Sequence, residues 1–291
     1  MTLPRYPNFS PISFDYGEAL RRALVDARDG VSEFTFANLY LFRKRYGYQV
    51  SFVDEHTLVI SGERDGKRFF STPKAVRVEI LRELLGSHAY WKNIPASVLS
   101  EIESLRGELG VEISEDRDNF DYLYLREDLA LLSGKKYHKK RNLVNAFSLA
   151  YPGHSEAPLT SELVGDAIAV LERWRKDKRE DGDYTASREA LELFAELSME
   201  GMVFYVEDRP AGFCLGEGVA GGRIFALHFE KAAEEYKGIY QYINQKYAEK
   251  LDENYTFINR EQDLGDEGLR QAKMTYRPCG FVLKYIGRRP E

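Results

Sequence analysis

Residues 202–230 read MVFYVEDRPAGFCLGEGVAGGRIFALHFE. Three runs rich in β-branched and aromatic residues, 202–207, 211–217 and 222–230, are separated by Asp208-Arg209-Pro210 and Val219-Ala220-Gly221. Proline and glycine at those breaks favour turns, so the stretch predicts an antiparallel meander of three strands. A helical pattern follows over 238–251, a strand over 255–259, a helix over 267–276 and a last strand over 280–286. A pure β-sandwich has no such helices. A doubly wound nucleotide fold alternates strand and helix from its start, with a Gly-rich first turn. No G-x-G-x-x-G leads from a strand into a helix and no G-x-x-x-x-G-K-[ST] exists, which argues against dinucleotide oxidoreductases and P-loop NTPases.

Working outward, the same order recurs upstream. Helices are expected over 17–29 and 33–46, strands over 49–53, 57–61 and 68–71, and helices over 74–85 and 95–105. An aromatic strand at 120–125 leads into largely helical sequence to 149, broken near Ser133-Gly134. Residues 151–158, with two prolines and a glycine, read as a linker, and helices over 161–176 and 187–199 lead into the meander. The expectation is a mixed α+β (α/β) chain of two domains, 1–150 and 151–291, each a mostly antiparallel sheet flanked by helices. Phe120-Asp-Tyr-Leu-Tyr124 before Arg126-Glu-Asp-Leu129 is echoed by Tyr255-Thr-Phe-Ile258 before Arg260-Glu-Gln-Asp-Leu264, which suggests a duplication.

With 291 residues the chain can bury two cores, and a net charge of −6 argues against a duplex DNA binder. Cys214 and Cys279 stand apart, without a CxxC or a Cys/His cluster, so neither zinc nor a disulfide framework is expected. No apolar run reaches the length of a membrane span, and Met1-Thr-Leu-Pro-Arg5 lacks a signal-peptide core. The expected location is the cytoplasm, with membrane contact only peripheral.

Three segments carry a family resemblance. The first is 122–129, YLYLREDL, with 134–147, GKKYHKKRNLVNAF. The second is 228–232, HFEKA, with 236–240, YKGIY, and Asn244. The third is 258–265, INREQDLG, with 268–273, GLRQAK, and Tyr276-Arg-Pro278. Together they resemble the catalytic, C-terminal domain of phosphatidylglycerol lysyltransferases in a stand-alone form. The resemblance implies tandem GNAT-like domains, the fold whose order is meander, helix, strand. It also implies aminoacyl transfer with aminoacyl-tRNA as donor, so the tRNA acceptor end is an expected partner. The acceptor is a lipid headgroup or a small molecule, and the multi-helix membrane domain of the lipid-modifying members is not expected here.

The residues themselves suggest where such chemistry would sit. At about 100° per residue, Tyr137, Val144 and Phe147 fall on one side of a helix, and His138, Asn142 and Asn145 fall within roughly 60° of one another on another side. Arg141 flanks them, and Lys135, Lys136, Lys139 and Lys140 extend the basic field; the group suits an anion, although lysine-rich runs are usually solvated faces. Gly238, behind Lys237, starts a helix where GNAT proteins hold a pyrophosphate on backbone N–H groups. Glu234 and Glu235 just upstream would repel one, which makes acetyl-coenzyme A the less favoured donor. Asn259, Glu261 and Asp263 would share one face of a strand end, with Arg260 and Gln262 on the other. Glu230, Glu261 and Asp263 are candidate proton acceptors and Tyr276 a candidate proton donor. Tyr240, Asn244 and Lys273 join the substrate-binding set through the resemblance. His228, near a strand end, reads as a satisfied core histidine. The competing functions are an acetyl-coenzyme A-dependent N-acetyltransferase and a non-catalytic module that binds a small anion.

Overall fold

The computed structural model describes residues 2–25, 27–176 and 182–290; residue 26, inside the helix expected over 17–29, lies outside them. In chain order a first series runs β1 (Ser10–Pro11), α1 (Gly17–Leu24), α2 (Phe36–Leu41), α3 (Arg43–Tyr46), β2 (Gln49–Phe52), β3 (Leu58–Arg64) and β4 (Lys67–Ser71). It continues through α4 (Val78–Ser87), β5 (Tyr90–Pro95), α5 (Ala96–Ile102), α6 (Arg106–Leu109), β6 (Glu112–Glu115) and β7 (Asp121–Leu125). Helices α7 (Arg126–Leu131) and α8 (His138–Ala150) lead to a second series. That series runs β8 (His154–Pro158), α9 (Val164–Lys176), α10 (Tyr184–Glu192), β9 (Glu200–Val206), β10 (Arg209–Val219) and β11 (Ile224–Ala232). It closes with α11 (Ile239–Lys250), β12 (Phe257–Asn259), α12 (Glu267–Met274), β13 (Gly280–Val282) and β14 (Lys284–Arg288).

The strands form two sheets of the same design. One has the order β1-β2-β3-β4-β5-β14-β6 and the other β8-β9-β10-β11-β12-β7-β13. In each, the meander is antiparallel, its last strand pairs in parallel with the strand after the crossover helix, and that strand is antiparallel to the next. The two series are thus repeats, and the seventh strand of each is exchanged. β7 is placed between β12 and β13, while β14 is placed between β5 and β6. This is a tandem GNAT-like architecture.

The exchange corrects the expected domain limits. The compact units are Met1–Asp121 with Gln262–Glu267 and Phe281–Glu291, and Tyr122–Glu261 with Gly268–Gly280, not the contiguous halves 1–150 and 151–291. The expected linker is also structured: His154–Pro158 is β8, paired antiparallel with β9 from His154–Val206 to Pro158–Met202. Its proline is tolerated because β8 is an edge strand. The local likeness of 120–125 and 255–258 does not mark repeated positions. β7 and β12 are neighbours in one sheet, with Ile258 opposite Tyr124, and β5 is the counterpart of β12.

In the first unit, the apolar face of α4 (Ile80, Leu81, Leu84, Leu85) packs with Val59, Phe70, Trp91 and Ile94 of the sheet. Phe70 and Trp91 stack at 5.5 Å and 14°. Each such fully buried side chain contributes about 1.5–3 kcal/mol. Thr35 ends the loop before α2 by accepting a bond from the Asn38 N–H at 3.0 Å, so the helix expected from 33 starts at Phe36. In the second unit Phe204, Phe213 and Phe225 of the meander are buried, as are Tyr242, Ile243 and Tyr247 of α11 and Val170 and Leu171 of α9. No helix among the described residues is long and apolar enough to cross a membrane.

Candidate active site

The second unit contains a wedge between two strands. β11 pairs with β10 from Ile224 to Ala232, but with parallel β12 only at Ile224–Phe257, Phe225–Ile258 and Ala226–Asn259. Beyond Ala226 the two strands part. β11 is also bulged. Leu215 and Gly216 of β10 oppose Phe229 and Leu227, leaving His228 as the extra residue. Gly216 is required beside the bulge, since a Cβ there would meet the Ala226 carbonyl oxygen at 2.1 Å and the Phe225 ring at 2.6 Å. The bulge breaks the two-residue alternation and re-aims the polar residues of 228–230.

Glu230 lies in this wedge with its side chain 11% exposed. Asn244 of α11 donates from Nδ2 to both carboxylate oxygens, at 2.9 and 3.0 Å, and to the Tyr240 carbonyl at 2.7 Å. Arg260, just past β12, donates from Nη2 at 3.2 and 3.4 Å. Burial pushes the Glu230 carboxyl above its ordinary value, and Arg260 and the Asn244 bond only partly oppose this. The Tyr276 ring adjoins the pair. The Arg260 guanidinium is 5.3 Å from its centroid and the Lys140 ammonium 3.9 Å. Burial raises the Tyr276 hydroxyl to about 12, so it stays protonated at neutral pH. Burial, and then the neighbouring Arg260, bring the Lys140 amine down to about 8.

A second group adjoins the end of β12. His228 Nδ1 is 2.7 Å from Glu261 and Nε2 is 3.1 Å from Glu217. Burial alone would depress the imidazole, but the two carboxylates outweigh it and hold its pKa up to about 10. His228 is therefore a cation with both nitrogens donating. It is satisfied, as expected, but by two acids rather than by the core.

Several expected site residues have other roles. Arg141 is taken up by backbone carbonyls. Its Nη1 donates to the Leu132 carbonyl and, at 3.3 Å, to that of Gly134, fastening the loop before α8. His138 and Asn142 bond each other at 3.1 Å on the exposed side of α8, where Lys139 and Asn145 also lie. Gly238 has φ +94°, and a Cβ would meet the Leu143 carbonyl oxygen at 2.8 Å and Phe147 Cβ at 3.2 Å. The glycine is there for helix packing, and Lys237 beside it is exposed. Tyr240 closes its hydroxyl on the backbone of Ala232, at 3.3 Å from the N–H. Lys273 donates to the carbonyls of Arg260, at 2.5 Å, and Glu261, at 3.0 Å, and so pins the turn after β12. Asn259 is buried and accepts the Glu261 N–H at 2.8 Å, forming that turn. Glu261 follows with φ +55°, so the expected alternation stops there. Asp263 and Gln262 consequently belong to the first unit. There Asp263 accepts from the Gly265 N–H at 2.9 Å and from Arg117 at 3.3 Å, and it takes no part in the wedge.

A family model described as "Phosphatidylglycerol lysyltransferase, C-terminal" matches residues 25–287. The chain belongs to this family. A conserved protein of unknown function from Bacteroides thetaiotaomicron VPI-5482 has the same structure, with 28% identity and a TM-score of 0.86 over 97% of this chain and 99% of that one. L-PGS from Bacillus licheniformis shares the fold, with 15% identity and a TM-score of 0.59 over 86% of this chain and 90% of the other. An uncharacterized protein of Mycoplasmoides gallisepticum is 25% identical over 194 residues, 64% of this chain, and the match spans 61% of that protein's length.

Two residues of this family member's wedge lie outside the set read from sequence. Lys140 was grouped with the solvated lysine run, yet it sits three residues after Tyr137 and four before Val144, inside the stripe that α8 buries. A lysine in an apolar stripe was a legible signal. Glu217, the second partner of His228, carried no sequence signal because the bulge that brings them together is a matter of register.

Proposed function

We propose that the second unit transfers an acyl group of aminoacyl type, from an aminoacyl-tRNA donor to an amine or hydroxyl acceptor. Membership of the phosphatidylglycerol lysyltransferase C-terminal family supports transfer chemistry. The observation that carries the reading is the Glu230 carboxylate, buried at the parting of β11 and β12, held by Asn244 and Arg260, and next to Tyr276. Attack by the acceptor on the ester carbonyl forms the new C–N or C–O bond, and the acceptor's proton passes to Glu230, whose raised pKa suits a proton acceptor. Collapse of the tetrahedral intermediate breaks the ester C–O bond, and the proton returns from Glu230 to the leaving ribose oxygen. Arg260 remains cationic throughout and opposes the charge that develops on the carbonyl oxygen.

The test is discharge of a panel of labelled aminoacyl-tRNAs in the presence of lipid and small-amine acceptors. Glu230→Gln keeps the shape and one of the two Asn244 bonds, and transfer should fall by about 100-fold or more. Thermal stabilisation by acetyl-coenzyme A, together with acetyl transfer and no tRNA discharge, would replace this reading with the N-acetyltransferase.

A further inference from the structure

We propose that His228 is a positioning residue of the transfer site: with Glu261 it forms a charged rung across the wedge, and this rung sets Arg260 on Glu230. Backbone pairing of β11 with β12 ends at Ala226–Asn259. Beyond it, two side-chain contacts cross from β11 to the turn after β12. His228 Nδ1 meets Glu261 at 2.7 Å, and Glu230 meets Arg260 at 3.2 and 3.4 Å. Arg260 and Glu261 are consecutive, so the contact that places one places the other within a peptide unit. The second rung needs that help. Arg260 reaches Glu230 through Nη2 alone, at the long end of hydrogen bonding, and a displacement of about half an ångström would part the pair.

Other bonds hold the turn from sides that do not include β11. Asn259 accepts the Glu261 N–H at 2.8 Å within the turn. Lys273 of α12 binds the carbonyls of Arg260 and Glu261. On the β7 side, the Arg260 N–H donates to the Tyr122 carbonyl at 3.0 Å and the Tyr122 N–H to that of Glu261 at 3.2 Å. The His228 rung answers from the far side of the wedge. It is anchored in turn, because the bulge frees His228 from the ladder and Nε2 is 3.1 Å from Glu217 of β10. The imidazole is 2% exposed, so solvent screens the rung little.

The inference rests on the transfer reading for its purpose, but its test reads the Glu230 carboxyl and needs no turnover. Protein labelled with 13C-glutamate is titrated by NMR, and the Glu230 signal is assigned by its loss in Glu230→Gln. Arg260 opposes the upward push of burial on this carboxyl. Glu261→Ala removes the rung, should loosen Arg260, and should raise the proton affinity of Glu230 about 10-fold. Loss of the Glu261 charge by itself acts in the opposite direction, since a nearby negative charge raises a carboxyl. The sign of the change therefore separates positioning from charge. Glu261→Gln loses the same charge, yet its amide oxygen still accepts from His228, and Glu230 should not rise. Glu217→Gln also loses one charge beside His228 and leaves the rung, with the same expectation. Glu261→Gly suits the φ of +55° and repeats the test where the alanine variant does not fold. Unchanged or lowered proton affinity of Glu230 in Glu261→Ala, or an equal rise in Glu261→Gln, would overturn the proposal. A wild type that transfers nothing would end the transfer reading, while the titration would still decide whether the rung sets Arg260 on Glu230.

Discussion

In the first unit the Lys284 ammonium is fully buried, 2.5 Å from Glu33 and 2.6 Å from Asp121. Ser32 adds its N–H at 3.0 Å and its hydroxyl at 3.1 Å to the Asp121 carboxylate. Burial would raise the Glu33 carboxyl, yet Lys284 and Lys92 hold it low; burial alone would lower Lys284, yet Asp121 and Glu33 hold it high. Lys92 is lowered by burial and lies 5.3 Å from the ring centres of Tyr46 and Phe69. In the second unit, Arg260 leans on Glu230 with one nitrogen at 3.2–3.4 Å, and Lys140 lies beside it against a ring. The first cluster is closed, with each acid matched by a buried base. The second is nearly buried, with the Glu230 and Arg260 side chains 11% and 16% exposed, and carries an excess cation. A closed cluster restrains the chain, here tying the exchanged β14 through Lys284 and β7 through Asp121 to the loop before α2. The same repeat thus carries a fully matched charge cluster in one copy and an unevenly matched one in the other.

The sharpest way to break the comparison is to remove the centre of the closed cluster. Lys284→Met strands two buried carboxylates and should lower unfolding stability by about 3–5 kcal/mol, measured by urea titration. A loss below 1 kcal/mol would mean that the cluster restrains nothing. Glu230→Gln should weigh the other way, with a smaller loss of stability than Lys284→Met and a cost in transfer of about 100-fold, or roughly 2.7 kcal/mol of barrier.

The histidine gives a pH arm. The His228 pKa is raised from about 6.5 in the unfolded chain to about 10 in the fold. Its contribution is therefore fully present below pH 6.5 and is lost as pH rises through about 10. Wild-type stability should decline between about pH 6.5 and about 10, and His228→Gln should flatten that decline. Identical profiles would show that the imidazolium is not held by Glu217 and Glu261. The smallest effect is expected at Asn145→Ala on the exposed side of α8, within about 0.5 kcal/mol in stability and without loss of transfer.

The meander at 202–230 was legible because strand propensity and turn residues agree over three runs. The exchange of β7 and β14 was not, since local patterns do not record which sheet receives a strand. β5, Tyr90–Pro95, was missed because Lys92 and Asn93 interrupt its apolar run, and both prove buried, Lys92 beside the Tyr46 and Phe69 rings. Glu230, Asn244, Arg260 and Tyr276 were each named from the sequence in separate motifs, and the fold brings them together. Arg141 was singled out although its neighbour Lys140 is the cation that reaches the Tyr276 ring, because a helix face read from aromatics alone hides a lysine inside the stripe. Asp263 was misplaced because Asn259 turns the chain two residues earlier than strand alternation assumes.

The most direct measurement is the fate of label from aminoacyl-tRNA incubated with acceptors and either wild-type or Glu230→Gln protein, with folding of both checked by thermal melting. Label should leave tRNA and appear on an acceptor with the wild type, and remain on tRNA with the folded variant. Equal transfer by both proteins, or none by the wild type with any aminoacyl-tRNA, would contradict the assignment of chemistry to the Glu230–Arg260 cluster.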